Sequence, residues 1–334
     1  MTTLMAQEIA EAPDAVARML AAVKPQLPDL QRLFARNPSH LVTIARGSSD
    51  HAAAYFGYLC GLRLGLPCAS VGPSVVSVYG ARMRLRDCIV VAISQSGAGP
   101  DVLALAAEAR RAGVPVVAVT NGADTALART ADVALDLCAG PEQSVAATKT
   151  FITSAAMAAR IVAEWAGDAT LLRVLETLPE ILQKAARLRW DALEAKLIPA
   201  RSAYMLGRGP SLPMAGEAAL KLKETSGLHA EAFSSAEVIH GPMELVGPGF
   251  PVLMFAPDDA AAATNAATAE RLRAAGADVH VAGAGGLDFA RTGHALLDPV
   301  SMLTTFYGSA ERVARARGKN PDKPRLLSKV TRTL

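Results

Sequence analysis

The chain has 334 residues, of which 51% are hydrophobic, only 4% are aromatic and a large share are alanine. Such a composition is typical of tightly packed helices around a filled core and excludes a disordered protein, and the length suits about two domains. The formal net charge is +3 and the basic residues are spread out, so neither a nucleic-acid-binding stripe nor an acidic tail is indicated.

The N-terminal residues MTTLMAQEIAEAP lack the basic region and apolar core of a signal peptide. No apolar run is long enough to span a membrane, so we expect no membrane contact. The four cysteines form no CxxC pair. We interpret them as structural thiols of a reducing compartment, which predicts a cytoplasmic protein: Cys60, Cys68, Cys88 and Cys138.

The first part of the chain, residues 1–36, has a helical pattern that three prolines interrupt. From His40 onward, short apolar runs alternate with alanine- and leucine-rich helical stretches. Strands and helices that take turns predict a parallel sheet with helices on both faces. The predicted strands are 41–45, 68–71, 88–93, 115–120 and 132–137, and the predicted helices are 51–65, 101–112 and 124–130.

A long helical stretch over residues 148–195 separates this block from a second one of the same kind. The second block has predicted strands at 203–207, 251–256 and 278–283 and predicted helices at 213–227 and 260–275. We therefore predict an N-terminal helical segment, a first α/β domain, a helical linker and a second α/β domain. Their bounds are 1–36, 37–165, 166–195 and 196–334.

The two blocks share landmarks at a nearly constant distance along the chain. Arg46-Gly47-Ser48-Ser49 has a counterpart in Arg208-Gly209-Pro210-Ser211, 162 residues later. The Arg-Ala-Gly at 111–113 has a counterpart in the Ala-Ala-Gly at 274–276, 163 residues later. This offset predicts a tandem duplication of one α/β unit.

The strand at 88–93 ends abruptly on Ser94-Gln95-Ser96-Gly97-Ala98-Gly99, and a helical pattern begins at Asp101. Ligands of open α/β sheets bind beyond the carboxyl ends of strands, where a helix N-terminus, glycine backbone and serine hydroxyls suit a phosphate. We therefore predict a phosphate site, although the loop matches neither a Walker motif nor GxGxxG. The alternative is an ordinary helix start with Asp101 as N-cap. The counterpart loop at 256–259 carries two carboxylates that would repel a phosphate.

The densest polar segment of the chain is 216–246. Glu217, Lys221 and Glu224 have spacings of four and three, which places them on one helix face. That face is either functional or a solvated surface with Glu–Lys pairs. His240 stands before a Gly-Pro turn and is either an acid/base or a structural histidine. A metal site is not indicated, because no second His or Cys stands at ligand spacing.

Six motifs in this order resemble a known family. SQSG follows a strand, and the chain then carries ATKTF at 147–151, LKLKE at 220–224, HAEAF at 229–233, IHGP at 239–242 and LSKVT at 327–331. As a set they are similar to the isomerase half of the glutamine–fructose-6-phosphate aminotransferases, from about residue 40 to the end of the chain. That half is a pair of sugar isomerase (SIS) domains. The resemblance implies two tandem three-layer α/β/α domains with flavodoxin-like parallel sheets.

The resemblance also implies a role for each matching residue. Glu224 resembles the base that moves a proton between C1 and C2 of the open sugar, and Lys221 the cation that supports the enediol. His240 resembles the ring-opening acid/base, which in the family comes from the neighbouring subunit. Lys329 resembles the lysine that closes over the sugar and can form a Schiff base. The implied phosphate and sugar contacts are Ser48, Ser49, Ser94, Gln95, Ser96, Gly97, Gly99, Val145, Ala147 and Glu217.

These roles agree with the chemistry of the residue types. Proton transfer between adjacent sugar carbons needs a positioned carboxylate and a cation or donor for the oxyanion. Ring opening near neutral pH suits histidine, and a lysine amine can capture a carbonyl. The chain departs from the family at two positions, since Gly99 replaces a threonine and Ala147 a serine. Both changes remove a hydroxyl, which puts the family's own substrate in doubt.

No glutaminase segment with a cysteine after Met1 is present, so we expect no glutamine hydrolysis. Without an ammonia supply the favoured hypothesis is deamination of glucosamine 6-phosphate to fructose 6-phosphate and ammonia. The alternatives are a fructosamine-6-phosphate deglycase, a ketose/aldose phosphate isomerase and a synthase-like aminating activity. A hypothesis of another class is a non-catalytic sugar-phosphate-binding regulator. The resemblance implies a homodimer and no metal, flavin or nucleotide cofactor.

Overall fold

A computed structural model describes residues 2–329, and the last two residues of the LSKVT motif lie outside this range. The chain divides into two compact units. The five-stranded unit comprises residues 12–142 and 149–179, and the four-stranded unit comprises residues 2–11, 143–148 and 180–329. The division falls inside the predicted linker 166–195, and the predicted domain bounds remain a prediction.

The five-stranded unit is built on an all-parallel sheet of order β2-β1-β3-β4-β5. The central strands read as unbroken buried apolar runs, which is typical of a parallel sheet whose two faces are both covered. Val42 lies opposite Val90, and Val90 opposite Val116. The strands are β1 His40–Ile44, β2 Cys68–Ser70, β3 Cys88–Ser94, β4 Val116–Thr120 and β5 Val133–Asp136.

Helices α1 to α8 belong wholly or mainly to the five-stranded unit, and α1 and α8 run on into residues of the other one. Leu105 and Leu127 pack on the sheet core beside Val90 and Ala118. No helix among residues 2–329 is both long and apolar enough to cross a membrane. The helices are α1 Leu4–Ala22, α2 Leu27–Phe34, α3 Ser48–Leu64, α4 Ser74–Ser77, α5 Pro100–Arg111, α6 Ala126–Thr130, α7 Lys149–Ala166 and α8 Ala169–Ala185.

The four-stranded unit has an all-parallel sheet of order β7-β6-β8-β9. Its strands are β6 Ser202–Gly207, β7 His229–Ser234, β8 Pro251–Ala256 and β9 Asp278–Gly283. Its helices are α9 Asp191–Leu197, α10 Ser211–Lys221, α11 Ala262–Ala274 and α12 Asp298–Ala316. A π-helical turn, Leu222–Ser226, extends α10, and short 3₁₀ turns cover Val238–His240 and Pro242–Leu245.

The two sheets repeat one topology. Strands β6, β7, β8 and β9 take the places of β1, β2, β3 and β4, and the first unit adds β5 at one edge. Gly47 and Gly209, the predicted counterparts, both have φ of +58°, a conformation that glycine adopts without a Cβ clash. The predicted fold class, two α/β units with parallel sheets flanked by helices, is confirmed.

Some predicted elements need correction. Strand β7 was not predicted, because this edge strand is mostly half-buried and carries polar residues at several positions. The stretch 148–195 is three helices rather than one, broken near Gly167 and again before Asp191. Helix α3 begins at Ser48 rather than 51, directly after the Gly47 turn.

The four cysteines are free thiols that are buried or half-buried. Burial raises the pKa of the Cys60 thiol and raises the pKa of Cys68 to about 11. Because the thiolate is the reactive form, these two thiols are unreactive near neutral pH. This agrees with a structural role.

Helix α5, which follows the serine-rich loop, is anchored to the segment before β3 by one carboxylate. Glu108 is buried and accepts hydrogen bonds from the Arg111 guanidinium at 2.6 and 2.7 Å. It also accepts the backbone N–H of Met83 at 2.9 Å and a hydrogen bond from Arg82 at 3.1 Å. The hydrogen bonds from Arg111, with those from Met83 and Arg82, lower the pKa of Glu108 to about 2.

We expect Glu108→Gln to lower the stability of the protein at neutral pH and to flatten its acid dependence. The carboxylate is ionised in the folded state down to about pH 2, whereas in the unfolded chain it takes up a proton near pH 4.3. Its contribution is therefore complete above about pH 5 and disappears as pH falls toward 2. Urea unfolding between pH 7 and pH 2.5 measures this, with the exposed Glu180→Gln as control. A wild-type advantage over Glu108→Gln that is as large at pH 2.5 as at pH 7 would contradict the assignment.

Candidate active site

The serine-rich loop leaves β3 at Ser94 and is held by its own backbone. The Gly97 N–H donates to the carbonyl oxygen of Ser94 and to its Oγ, each at 3.2 Å. The Gly97 carbonyl accepts the Leu127 N–H at 3.0 Å, and the Gln95 carbonyl accepts the Asn121 N–H at 3.1 Å. The Ser96 Oγ accepts the Ala98 N–H at 3.4 Å, so backbone atoms and the half-buried hydroxyls of Ser94 and Ser96 together hold the loop.

Two glycines of this loop have different surroundings. Gly97 has φ of +57°, and a Cβ there would fall on the side chain of Thr125. Gly99 has an ordinary φ of −63°, and a Cβ there would meet Asp101 Oδ1 at 3.3 Å and Val102 Cγ2 at 3.8 Å. Gly97 is therefore required by the backbone, whereas a side chain at position 99 needs only a small displacement of Asp101.

The alternative interpretation of this loop, with Asp101 as N-cap, is wrong. Gly99 is the N-cap of α5, and Asp101 lies within the first turn, where only 3% of its surface is exposed. The Asp101 carboxylate accepts a hydrogen bond from Arg46 Nε at 2.8 Å and from the Val102 N–H at 2.8 Å. Arg46 precedes the Gly47 turn, so this ion pair ties the loop after β1 to the loop after β3.

The helix α3 begins with Ser48 and Ser49, both half-buried. Strands β1 and β3 are neighbours, so the serine pair and the Ser94–Gly99 loop stand at the carboxyl ends of adjacent strands. The strand order reverses between these two strands, which is the point of a flavodoxin-like sheet where phosphorylated ligands bind. Two helix N-termini with serine hydroxyls make this edge suitable for an anion.

In the four-stranded unit, Lys221 joins two carboxylates. Its ammonium lies 3.4 Å from Glu217 Oε1 and forms a short ion pair with Glu224 Oε2. Tyr307 on α12 donates its hydroxyl hydrogen to Glu217 Oε1 at 3.0 Å. Glu217 and Lys221 are fully buried, so the alternative of a solvated helix face is wrong for these two residues.

Glu224 differs from its partners because its side chain is 23% exposed. It lies in the π-helical turn Leu222–Ser226, after α10 has ended at Lys221. Such single π-turns are frequent at functional sites. The group therefore consists of a buried ammonium and a carboxylate that is partly exposed to solvent.

His240 is exposed on a 3₁₀ turn, and its backbone N–H donates to the Glu237 carbonyl at 2.9 Å. The next turn is fixed by Tyr204, whose hydroxyl donates to the Pro242 carbonyl at 2.8 Å. An exposed imidazole on a fixed turn is accessible to a ligand or to another chain.

Lys329 lies beside the segment 143–148. Its ammonium donates to the Ser144 carbonyl at 2.8 Å. The Glu8 carboxylate accepts the backbone N–H of Ser144, and the Asp322 carbonyl accepts that of Val145 at 3.2 Å. Val145 and Ala147 are half-buried in this segment. The structure therefore places Lys329 beside the segment that carries Val145 and Ala147, two of the predicted sugar contacts of its own unit.

The predicted residues other than His240 thus fall into three groups: Ser48, Ser49 and the Ser94–Gly99 loop; Glu217, Lys221 and Glu224; and Lys329 beside the segment with Val145 and Ala147. His240 lies apart from them on its own turn. Sequence reasoning missed Arg46 as an ion-pair partner, Tyr307 and Ser144. The sequence did point to Arg46, because this residue begins the Arg-Gly stretch that recurs at Arg208. Within the described part of the chain, no group of three or more His, Cys, Asp or Glu side chains could hold a metal ion.

We expect Gly99→Thr to lose less stability than Gly97→Ala, which should also lose phosphate binding. The first change displaces the Asp101 side chain slightly, whereas the second forces Thr125 and a left-handed backbone to move. A forced positive φ for a non-glycine residue costs about 1–2 kcal/mol. Thermal unfolding with and without inorganic phosphate measures both effects. Equal behaviour of the two variants would contradict this description of the loop.

Known proteins are similar to this chain over both of its units. The SIS domain family matches residues 34–162 and 196–282. The glutamine–fructose-6-phosphate aminotransferase (isomerizing) of Aeropyrum pernix is 36% identical over 98% of this chain, and the chain spans 56% of that relative's length.

Two solved structures share the whole fold. One, provisionally named a phosphosugar isomerase, comes from Silicibacter pomeroyi; it is 45% identical, with a TM-score of 0.91 over 96% of this chain and 100% of that one. The other is the C-terminal domain of the glucosamine-fructose-6-phosphate aminotransferase of Francisella tularensis. It is 25% identical, with a TM-score of 0.81 over 97% of this chain and 99% of that one. The family match covers more than half of the chain, and this protein belongs to the SIS domain family.

Proposed function

We propose that this protein acts on a phosphosugar and that its reaction is the deamination of glucosamine 6-phosphate to fructose 6-phosphate and ammonia. Family membership and the names of the relatives support the general class of phosphosugar isomerisation. The observation that carries the proposal is the Glu217–Lys221–Glu224 group, in which a buried ammonium contacts a carboxylate that is open on one side.

The phosphate of the substrate is assigned to the five-stranded unit. Ser48 and Ser49 begin α3, and Ser94, Gln95 and Ser96 lie before α5. Hydroxyl and amide donors at helix N-termini bind a phosphate without a metal ion. The Arg46–Asp101 ion pair holds the two loops in register and does not itself contact the phosphate in this proposal.

Proton transfer is assigned to the four-stranded unit. His240 moves a proton from O1 to the ring oxygen and opens the sugar. Glu224 then takes the C2 proton while Lys221 stabilises the charge that develops on O1. The proton returns to C1, O1 gains the proton that the amine nitrogen loses, and C2 is left as an imine. Water adds to C2 and the C–N bond breaks, so ammonia leaves and no oxidant or reductant is needed.

The direction follows from concentrations, because water is abundant and free ammonia is dilute. Lys329 is assigned to cover the open sugar. Its amine rests on the Ser144 carbonyl and must leave that hydrogen bond before it can add to a carbonyl carbon.

A second candidate is a fructosamine-6-phosphate deglycase. Ala147 favours it, because this position lacks the hydroxyl that the family's aminotransferases place near the sugar. An enzyme without that hydroxyl has more space for a substituent on the amine. The same base and cation would serve this reaction.

We expect saturable ammonia release from glucosamine 6-phosphate with an equal yield of fructose 6-phosphate. Glu224→Gln should lower kcat by about 10²–10⁴-fold, because a general base contributes that much. The exposed Glu180→Gln on α8 is the matched control and should behave as the wild type. Galactosamine 6-phosphate and a fructosamine 6-phosphate are measured in parallel. No ammonia from either amino sugar would overturn the deaminase, and activity on fructosamine 6-phosphate alone would establish the deglycase.

We further infer a homodimer in which His240 serves the neighbouring subunit, which its exposure permits. His240→Ala and Glu224→Gln should each be inactive alone, and mixing them should restore up to about a quarter of the activity through sites with both residues intact. Sedimentation of the mixture, with one variant tagged, checks that subunits exchange. Exchange without any recovered activity would show that His240 acts within its own chain.

A further inference from the structure

Three segments that are far apart in the chain meet in the four-stranded unit: the first turns of α1, the segment 143–148 and the tail after α12. Asp322 joins the first of these to the last, because its carboxylate accepts the N–H groups of Leu4 and Met5 at 2.9 and 2.8 Å. A carboxylate is favoured there, since a helix N-terminus has unpaired donors and a positive dipole end. The start of α1 is thus fixed against the tail that carries Lys329.

The middle segment is held by a carboxylate of α1. Glu8 is only 4% exposed, and its Oε1 accepts the N–H groups of Gln143 and Ser144, the latter at 3.2 Å. The Ser144 N–H also lies 3.3 Å from Glu8 Oε2, and the next N–H, that of Val145, donates to the Asp322 carbonyl. Hydrogen bonds to a carboxylate are about twice as strong as neutral ones. Three consecutive backbone donors are therefore fixed, two of them by Glu8.

Ser144 connects this anchor to the amine of Lys329. Ser144 is fully buried, its N–H donates to Glu8, and its carbonyl accepts the Lys329 ammonium at 2.8 Å. A buried N–H that loses its acceptor is costly, so without the carboxylate the segment would turn to find other partners. The carbonyl that holds the ammonium would turn with it.

We propose that Glu8 is a positioning residue, which sets the place of the Lys329 amine and the orientation of the segment with Val145 and Ala147. The proposal rests on the proposed function, in which Lys329 covers the open sugar. In the step concerned, the free amine adds to the C2 carbonyl carbon of an open ketose phosphate. The two amine hydrogens leave with the carbonyl oxygen as water, and an imine remains. Glu8 touches no reacting atom in this step and acts through Ser144.

Trapping of this imine on the full chain tests the proposal. Fructose 6-phosphate is added with cyanoborohydride, which donates hydride to the imine and leaves a stable secondary amine, and peptide mass spectrometry measures the adduct on Lys329. Glu8→Ala removes the acceptor, whereas Glu8→Gln keeps one acceptor oxygen. Asp14→Asn is the matched control, since it removes an exposed carboxylate of the same helix.

We expect the maximal rate of trapping to fall about 10- to 100-fold in Glu8→Ala, because a misplacement of about 1 Å can cost that much. Glu8→Gln should recover part of the loss, and Asp14→Asn should behave as the wild type. The fructose 6-phosphate concentration for half-maximal trapping should stay nearly unchanged, because the phosphate is assigned to the five-stranded unit. A merely structural role would instead lower the rate in proportion to the folded fraction, which thermal unfolding of each variant measures.

Four results would overturn the proposal. They are no adduct on Lys329 in the wild type, an equal rate in the wild type and Glu8→Ala, a loss that comes entirely from weaker sugar binding, and a loss that matches the unfolded fraction. Trapping needs no ammonia release. A wild type that forms the adduct but releases no ammonia from glucosamine 6-phosphate would therefore overturn the proposed deaminase and leave the role of Glu8 in place.

Discussion

The buried ammonium of Lys221 is the constraint on which the second unit depends. An isolated lysine in a protein interior loses its hydration, and the loss costs several kcal/mol unless anions replace the water. Glu217 and Glu224 replace it, and Tyr307 donates to Oε1 of Glu217, the same oxygen that faces Lys221. Removing one partner of such a group costs about 3–5 kcal/mol, so these residues tie α10, its π-helical turn and α12 together. A site built in this way keeps its charges ordered before a substrate arrives.

The π-helical turn explains how one member of this group reaches solvent. A regular helix would continue the buried face of α10 past Lys221, and Glu224 would follow its partners into the interior. The extra residue per turn in Leu222–Ser226 shifts the backbone, and the chain then leaves through Gly227 in a left-handed conformation toward β7. The Glu224 carboxylate is therefore held by Lys221 at Oε2 while its side chain stays 23% exposed. The π-helical turn therefore both fixes the position of Glu224 and leaves it accessible to solvent.

The elements that could be predicted from sequence are those whose pattern is local. Strands β3 and β4 are unbroken apolar runs, and the Ser94–Gly99 loop follows directly from one of them. The spacing of Glu217, Lys221 and Glu224 places them on one face, but the same spacing occurs on solvated helices. Their burial depends on the contact with Tyr307, which lies 90 residues away in the chain. No local sequence pattern predicts that contact. Arg46 and Asp101 are likewise 55 residues apart, which is why the aspartate was open to interpretation as a helix cap.

The duplicated topology carries loops of opposite character at its two switch points. At the first switch point, between β1 and β3, serines and helix N-termini favour an anion. At the second, between β6 and β8, the loop after β8 carries Asp258 and Asp259, which oppose one. Carboxylates in that position would repel a phosphate, whereas hydroxyl and backbone donors at the first switch point suit one. The two loops thus differ in the sign of the charge that they favour while the fold around them stays the same.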